Sequence, residues 1–264
     1  MTSLQKALLV TLSVIVCGCI LASVAQAQTG EVYSLNVVGF QKVAAPAAKL
    51  QISSTPFEAA DDKLDTVVGA QLTGSDGYNT SDNVIMFNPT NQQYENYFIA
   101  GGIGDPQYDG KWFDQALQPA TNAMIPPGRG FWIRNRQSST QTVVVAGDVV
   151  SVAAVTNHIY PGLQLISYPY STAILLNNTT FSNGAVGSDG FNTSDNILLW
   201  DYANQQYINY FIAGGIGDPQ YDGKWFTQAL QPATNVYLQP GQGFWYRHRG
   251  SGFNWVEQKP YTLP

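Results

Sequence analysis

Residues 74–134 align with residues 187–247 without a gap, and 45 of those 61 positions are identical. Chance does not produce such a match, so the chain must build one module twice, at a fixed offset of 113 residues. The segment Gly74-Ser75-Asp76-Gly77 returns as Gly187-Ser188-Asp189-Gly190, and all of residues 96–113 return unchanged at 209–226. The register extends upstream, where Ser54-Thr55-Pro56-Phe57 meets Ser167-Tyr168-Pro169-Tyr170. The differences are also informative. Val84-Ile85-Met86-Phe87 becomes Ile197-Leu198-Leu199-Trp200, so apolar character survives a change in every side chain, as packing of a strand allows.

Short apolar runs separated by turn residues predict strands and little helix. Residues 83–87 and 93–99 form a hairpin around Asn88-Pro89-Thr90-Asn91, where Pro at the second position suits a type I turn. Lys111-Trp112-Phe113 opens a further strand and residues 130–134 another; residues 142–145 close the module, and Gly147-Asp148 turns the chain into the second copy. Residues 60–68 are the one helical candidate. No linker-like composition separates 146 from 160, so the modules should abut. The expected fold is all-β: two tandem barrel-like or sandwich-like modules, 28–147 and 148–264.

Ahead of them, residues 1–6 carry one Lys, 7–21 are almost wholly apolar, and Ala25-Gln26-Ala27 supplies small residues for cleavage after Ala27. An apolar run of this length falls short of the roughly 20 residues that cross a bilayer. The expected location is therefore extracytoplasmic: secreted, periplasmic or at the cell surface, with no transmembrane segment in the mature chain. Both cysteines, Cys17 and Cys19, lie in this segment, and a lipoprotein signal at Cys19 is the alternative. A mature chain from 28 has no cysteine, which leaves packing rather than disulfides to hold it together.

Residues 28–264 carry 11 basic and 18 acidic side chains, and no basic stripe, which argues against nucleic acid as a partner. Polarity comes from Asn, Gln, Ser and Thr interleaved with Tyr and Trp. Such a surface suits a neutral glycan or another surface protein, and equally a plain extracellular β-scaffold.

The opening Leu163-Gln164-Leu165-Ile166-Ser167 and the closing Pro240-Gly241-Gln242-Gly243-Phe244-Trp245 resemble a widespread group of bacterial secreted repeat domains. In that group an opening G-x-N-L-I-S-like strand pairs with a closing L-x-P-G-x-G-F/Y-W strand. The stretch from Val32 to Phe40 is similar to the mature start of uncharacterised proteins of the same group. Module one departs from the opening pattern, with Ala47-Ala48-Lys49 where module two has Tyr160-Pro161-Gly162. The resemblance implies an extracytoplasmic β-domain and no defined reaction.

Trp112 and Trp225 follow a Gly-rich loop bearing Tyr108 and Tyr221, an arrangement that could stack on a ligand or could fill a core. Trp132 and Trp245 stand in Phe-Trp pairs whose members alternate faces, so one ring of each pair points outward as a candidate platform. Asp76, Asn79, Asp82 and Asn83, with Asp189, Asn192, Asp195 and Asn196, place hard oxygens in a Gly-containing loop. These are candidates for calcium, against the simpler reading that they are turn formers. Asp105 and Asp109, repeated at Asp218 and Asp222, are the acid and base candidates if the chain is a carbohydrate hydrolase. His158 and His248 are unrepeated, and neither a nucleophile elbow nor a zinc motif accompanies them. The sequence therefore favours a noncatalytic binding or structural protein without a cofactor, with a hydrolase as the alternative.

Overall fold

The computed structural model describes residues 37–263. The expected signal segment, both cysteines and most of the 32–40 motif lie outside them. The described residues form one compact unit. It is all-β and sandwich-like, and no described helix is long and apolar enough to cross a membrane.

The first copy runs β1 (Val38–Ala45), β2 (Leu50–Ser54), β3 (Phe57–Glu58), the single helical turn α1 (Leu64–Val67), β4 (Asn83–Asn88), β5 (Gln93–Ile99), β6 (Trp112–Asp114), β7 (Gly130–Arg134) and β8 (Gln141–Val149). The second runs β9 (Ala154–Ile159), β10 (Gly162–Ser167), β11 (Ile174–Leu175), two 3₁₀ turns, β12 (Asn196–Asp201), β13 (Gln206–Ile212), β14 (Trp225–Thr227), β15 (Tyr237–Leu238), β16 (Gly243–His248) and β17 (Phe253–Gln258).

Each copy contains a five-stranded antiparallel sheet, in the order β2-β7-β4-β5-β6 and β10-β16-β12-β13-β14. The repeat is kept down to the register: Leu50 opposite Arg134 becomes Leu163 opposite Arg247, and Asn83 opposite Phe98 becomes Asn196 opposite Phe211. The ribbon of β1 on β8 is matched by β9 on β17.

The expected hairpin, its turn and the strands at 112 and 130 are all present. Two expectations change. Helix is confined to α1, because Gly69 at φ +60° ends it and Lys63 caps it without a side-chain hydrogen bond. Gly147-Asp148 is not a turn but the continuation of β8, with Gly147 opposite Gly39. Gly147 sits where a side chain would strike the Glu58 backbone, so glycine is needed for close approach of β8 to β3.

Alternation along the strands divides the apolar residues between two environments. In β4, Val84 and Met86 enter the core of the first module, while Ile85 and Phe87 face the other way; in β12, Ile197 and Leu199 enter the core of the second, while Leu198 and Trp200 face away. The residues facing away meet one another. Ile52, Phe87, Trp132, Leu165 and Trp245 form a third buried cluster, shared by both modules.

This shared contact is reciprocal. Ser54 N donates to the Gly241 carbonyl and Ser167 N to the Gly128 carbonyl, both at 3.0 Å, and each bond is the other shifted by the repeat offset. Trp132 packs edge-on against Trp200 at 5.2 Å, and Trp245 against Phe87, its equivalent pair, at 4.9 Å. The two modules are thus related by a pseudo-two-fold axis, with one sheet face of each buried on the other.

Candidate functional site

The Gly-rich loop between β5 and β6 is built from its own carboxylates. Asp109 accepts hydrogen bonds from the amides of Ile103 and Gly104, one on each oxygen at 3.0 Å, while Asp105 accepts from Gln107 N at 2.9 Å. Asp222 and Asp218 do the same in the second copy, at 3.0 and 2.9 Å for Asp222 and 2.9 Å for Asp218. Gly102 and Gly104 lie at φ +71° and +82°, the left-handed region that lets the backbone turn its amides inward.

This loop and the β6 turn enclose a recess of about 270 Å³ lined by Asp76, Phe98, Ala100, Ile103, Tyr108, Phe113 and Leu117. Its counterpart measures about 260 Å³ and is lined by the equivalents Asp189, Phe211, Ala213, Ile216, Tyr221, Phe226 and Leu230. The floor is aromatic in both: Phe98 to Phe113 is 6.1 Å and Tyr108 to Phe113 6.0 Å, and the second copy repeats both distances.

At the rim stand leucines that no core claims. Leu117 is 65% and Leu230 64% exposed, and both are held at φ +61°. A branched side chain in that region costs of order 1 kcal/mol or more, and Gly or Asn would relieve the strain. Both copies keep leucine.

Tyr108 and Tyr221 are therefore placed at a concave, accessible surface, at 41% and 39% exposure. The four tryptophans are not, which corrects their candidacy as stacking platforms. Trp112 and Trp225 are buried in the two module cores, and Trp112 Nε1 donates to the Gly69 carbonyl at 3.0 Å. Trp132 and Trp245 do point away from their own cores, as alternation requires. The surface they point at is the other module rather than solvent.

The calcium candidates divide between the core and exposed turns, where they bond to neighbouring protein groups. Asp82 is fully buried and accepts from Thr73 N (2.8 Å), Arg136 N (2.7 Å), Gln137 Nε2 (3.4 Å) and Gln141 Nε2. Asp195, equally buried, accepts from Val186 N (3.0 Å), Tyr246 OH (2.8 Å), His248 Nδ1 (2.7 Å) and Arg249 N (2.7 Å). Oxygens so engaged are not free for the six to eight ligands calcium takes. Asp76 and Asp189 are exposed and accept from Ser75 Oγ and Ser188 Oγ, both at 3.1 Å, at the recess rims. Asn83 and Asn196 donate to the Tyr78 and Phe191 carbonyls at 3.1 and 2.9 Å. Among the described residues no group of three or more His, Asp or Glu side chains is arranged to hold a metal ion.

The residues that sequence reasoning passes over are Ile103, Leu117 and their copies. Their signal is present: an isolated apolar side chain inside Gln115-Ala116-Leu117-Gln118, unchanged in the second copy. Neither a scan of protein-family models nor a search of curated proteins finds a match to the chain.

Proposed function

We propose that the chain is a noncatalytic, extracytoplasmic binding protein whose two equivalent recesses capture apolar side chains of a repetitive protein partner. The observation that carries this reading is the exposed leucine held at φ +61° on the rim of each recess. Strain retained at an accessible apolar position points to use of that position. At about 270 and 260 Å³ the recesses fall below the roughly 300–1,000 Å³ of small-molecule sites, and they suit a side chain better than a free ligand. Two such sites on one chain raise avidity for a repeated epitope. Asp109 and Asp222, one member of each candidate acid and base pair, spend both oxygens on the loop's own amides, which favours a noncatalytic role over hydrolysis. The composition of the N-terminal segment supports export, and the resemblance to bacterial secreted repeat domains points the same way.

The test is capture on isolated cell envelopes and on a panel of insoluble polysaccharides, with the whole protein beside a Leu117→Asn, Leu230→Asn double variant. Asn tolerates φ > 0, so the variant keeps its fold. Retention on envelopes that the double variant loses, and that protease treatment of the envelopes abolishes, is the expected result. Equal retention of both proteins would reject the recesses as the binding surface.

A further inference from the structure

The pseudo-two-fold relation between the modules is broken in the turn that joins β12 to β13. There Tyr202 reaches over the interface and its hydroxyl donates to the Ile52 carbonyl at 3.0 Å. The repeat offset makes Pro89 the counterpart of Tyr202 and Leu165 the counterpart of Ile52. Pro89 has no hydroxyl to reach Leu165, and the two residues line a cleft of about 410 Å³ with both modules in its wall. That volume is in the range of small-molecule sites, about 300–1,000 Å³.

The wall is polar but carries both signs of charge. Arg129 pairs with Glu95 at 3.2 Å, Asn88 Nδ2 donates to the other Glu95 oxygen at 3.0 Å, and Arg129 donates to the Met124 carbonyl at 2.9 Å. A fixed ion pair offers strong donors and acceptors side by side while its charges cancel. Around it Tyr97, Asn122, Asn157 and Tyr160 present side-chain polar atoms that bond no other described residue. Tyr97, Asn157 and Tyr160 are half-buried, so these groups are partly desolvated yet reachable.

The cleft is made where the repeat departs from itself. Asn88, Pro89, Glu95, Met124 and Arg129 face it, and the second copy has Asp201, Tyr202, Ile208, Tyr237 and Gln242 at those positions. The duplicated sequence is thus asymmetric at this cleft and symmetric at the recesses.

We propose that this cleft binds a neutral carbohydrate unit. Vicinal hydroxyls donate and accept at once, which matches free amides, phenols and a neutralised ion pair in one wall, while the tyrosine rings supply apolar faces. An anionic ligand would meet Glu95, and a cationic one Arg129. The residues involved are separate from those of the recesses, so the two readings stand or fall independently.

The experiment is an NMR titration of the whole protein with neutral mono- and disaccharides of glucose, galactose, mannose and N-acetylglucosamine, with glucuronate and glucosamine as charged controls. Neutral sugars are expected to shift Tyr97, Asn157 and Tyr160 resonances at millimolar concentration. Pro89→Tyr, which installs the ring that the other side carries, and the Tyr97→Phe, Asn157→Ala double variant should each weaken binding by at least about tenfold. The Leu117→Asn, Leu230→Asn variant should bind as the parent does. Absence of any neutral-sugar response, or stronger response to the charged controls, would overturn the proposal. So would undiminished affinity in Tyr97→Phe, Asn157→Ala, which decides the matter even where Pro89→Tyr disturbs the module contact.

Discussion

Gln92 and Leu163, 71 positions apart, exchange two hydrogen bonds: Gln92 Nε2 donates to the Leu163 carbonyl at 2.9 Å and the Leu163 amide donates to Gln92 Oε1 at 2.8 Å. A side-chain amide of module one thereby acts as a strand partner for β10, the edge strand of the second sheet. An edge left open would be free to pair with another chain. Gln92→Ala should lower stability by about 1 kcal/mol, since the lost groups can turn to water, and should speed hydrogen exchange at the Leu163 amide. Urea unfolding with amide exchange measures both, and an unchanged Leu163 exchange rate would show the pair to be incidental.

Trp245 is wedged between Phe87 at 4.9 Å and Tyr94 at 6.1 Å, both in the other module, and its Nε1 donates to Tyr207 OH at 3.1 Å. Trp245→Ala opens a cavity in the buried cluster common to the two modules, at a cost of about 3–5 kcal/mol. Denaturation should then separate into two steps as the modules lose their common support. A single transition at the parent midpoint would contradict this placement.

Asp195 meets four donors, and an amide in its place would confront at least one of them with another donor. Asp195→Asn should cost about 3 kcal/mol through the unsatisfied buried groups. Asp82→Asn should behave alike, although its donors come from Gln137, Gln141 and backbone amides rather than from Tyr246 and His248. Thermal melts of the two variants should fall together, and a loss confined to one would mean that only that network is structural.

Glu58 lies opposite Asp148 in the β3–β8 pair, and partial burial, then the Asp62 and Asp148 carboxylates, raise its carboxyl above the ordinary range. A raised folded-state value means that folding favours the protonated form. This group therefore adds relative stability below its unfolded value, and that contribution is lost as pH rises through the raised folded value. Glu58→Gln should be more stable than the parent at neutral pH, with the advantage vanishing as pH falls below the ordinary glutamate range. Melting curves from pH 3 to pH 7 check the sign, and a gap that widens toward acid would reverse it.

The repeat, the hairpin and the strands at 112 and 130 were legible because period-two patterning and Pro-containing turns are local signals. The face of Phe131-Trp132 was legible too, in the limited sense that one ring goes in and the other out. What covers the outward ring was not, since alternation distinguishes two faces and says nothing of whether water or protein lies beyond. Gly147 misled for a related reason. A glycine chosen for close strand approach looks the same in sequence as one chosen for a turn. In the recesses, Tyr108 was visible as an aromatic in a Gly-rich loop, while Leu117 owes its position to a backbone angle that residue type alone does not report.

The reciprocal bonds of Ser54 with Gly241 and Ser167 with Gly128 have a further consequence. A contact in which each partner offers the same patch is isologous, and it closes upon forming. The chain is in effect a dimer tied into one polypeptide, and its self-complementary faces are consumed in the tying. Additional copies cannot be recruited through that patch, so growth into a filament by this route is blocked from within. A solitary module would carry the opposite character, with an uncovered adhesive face seeking its twin.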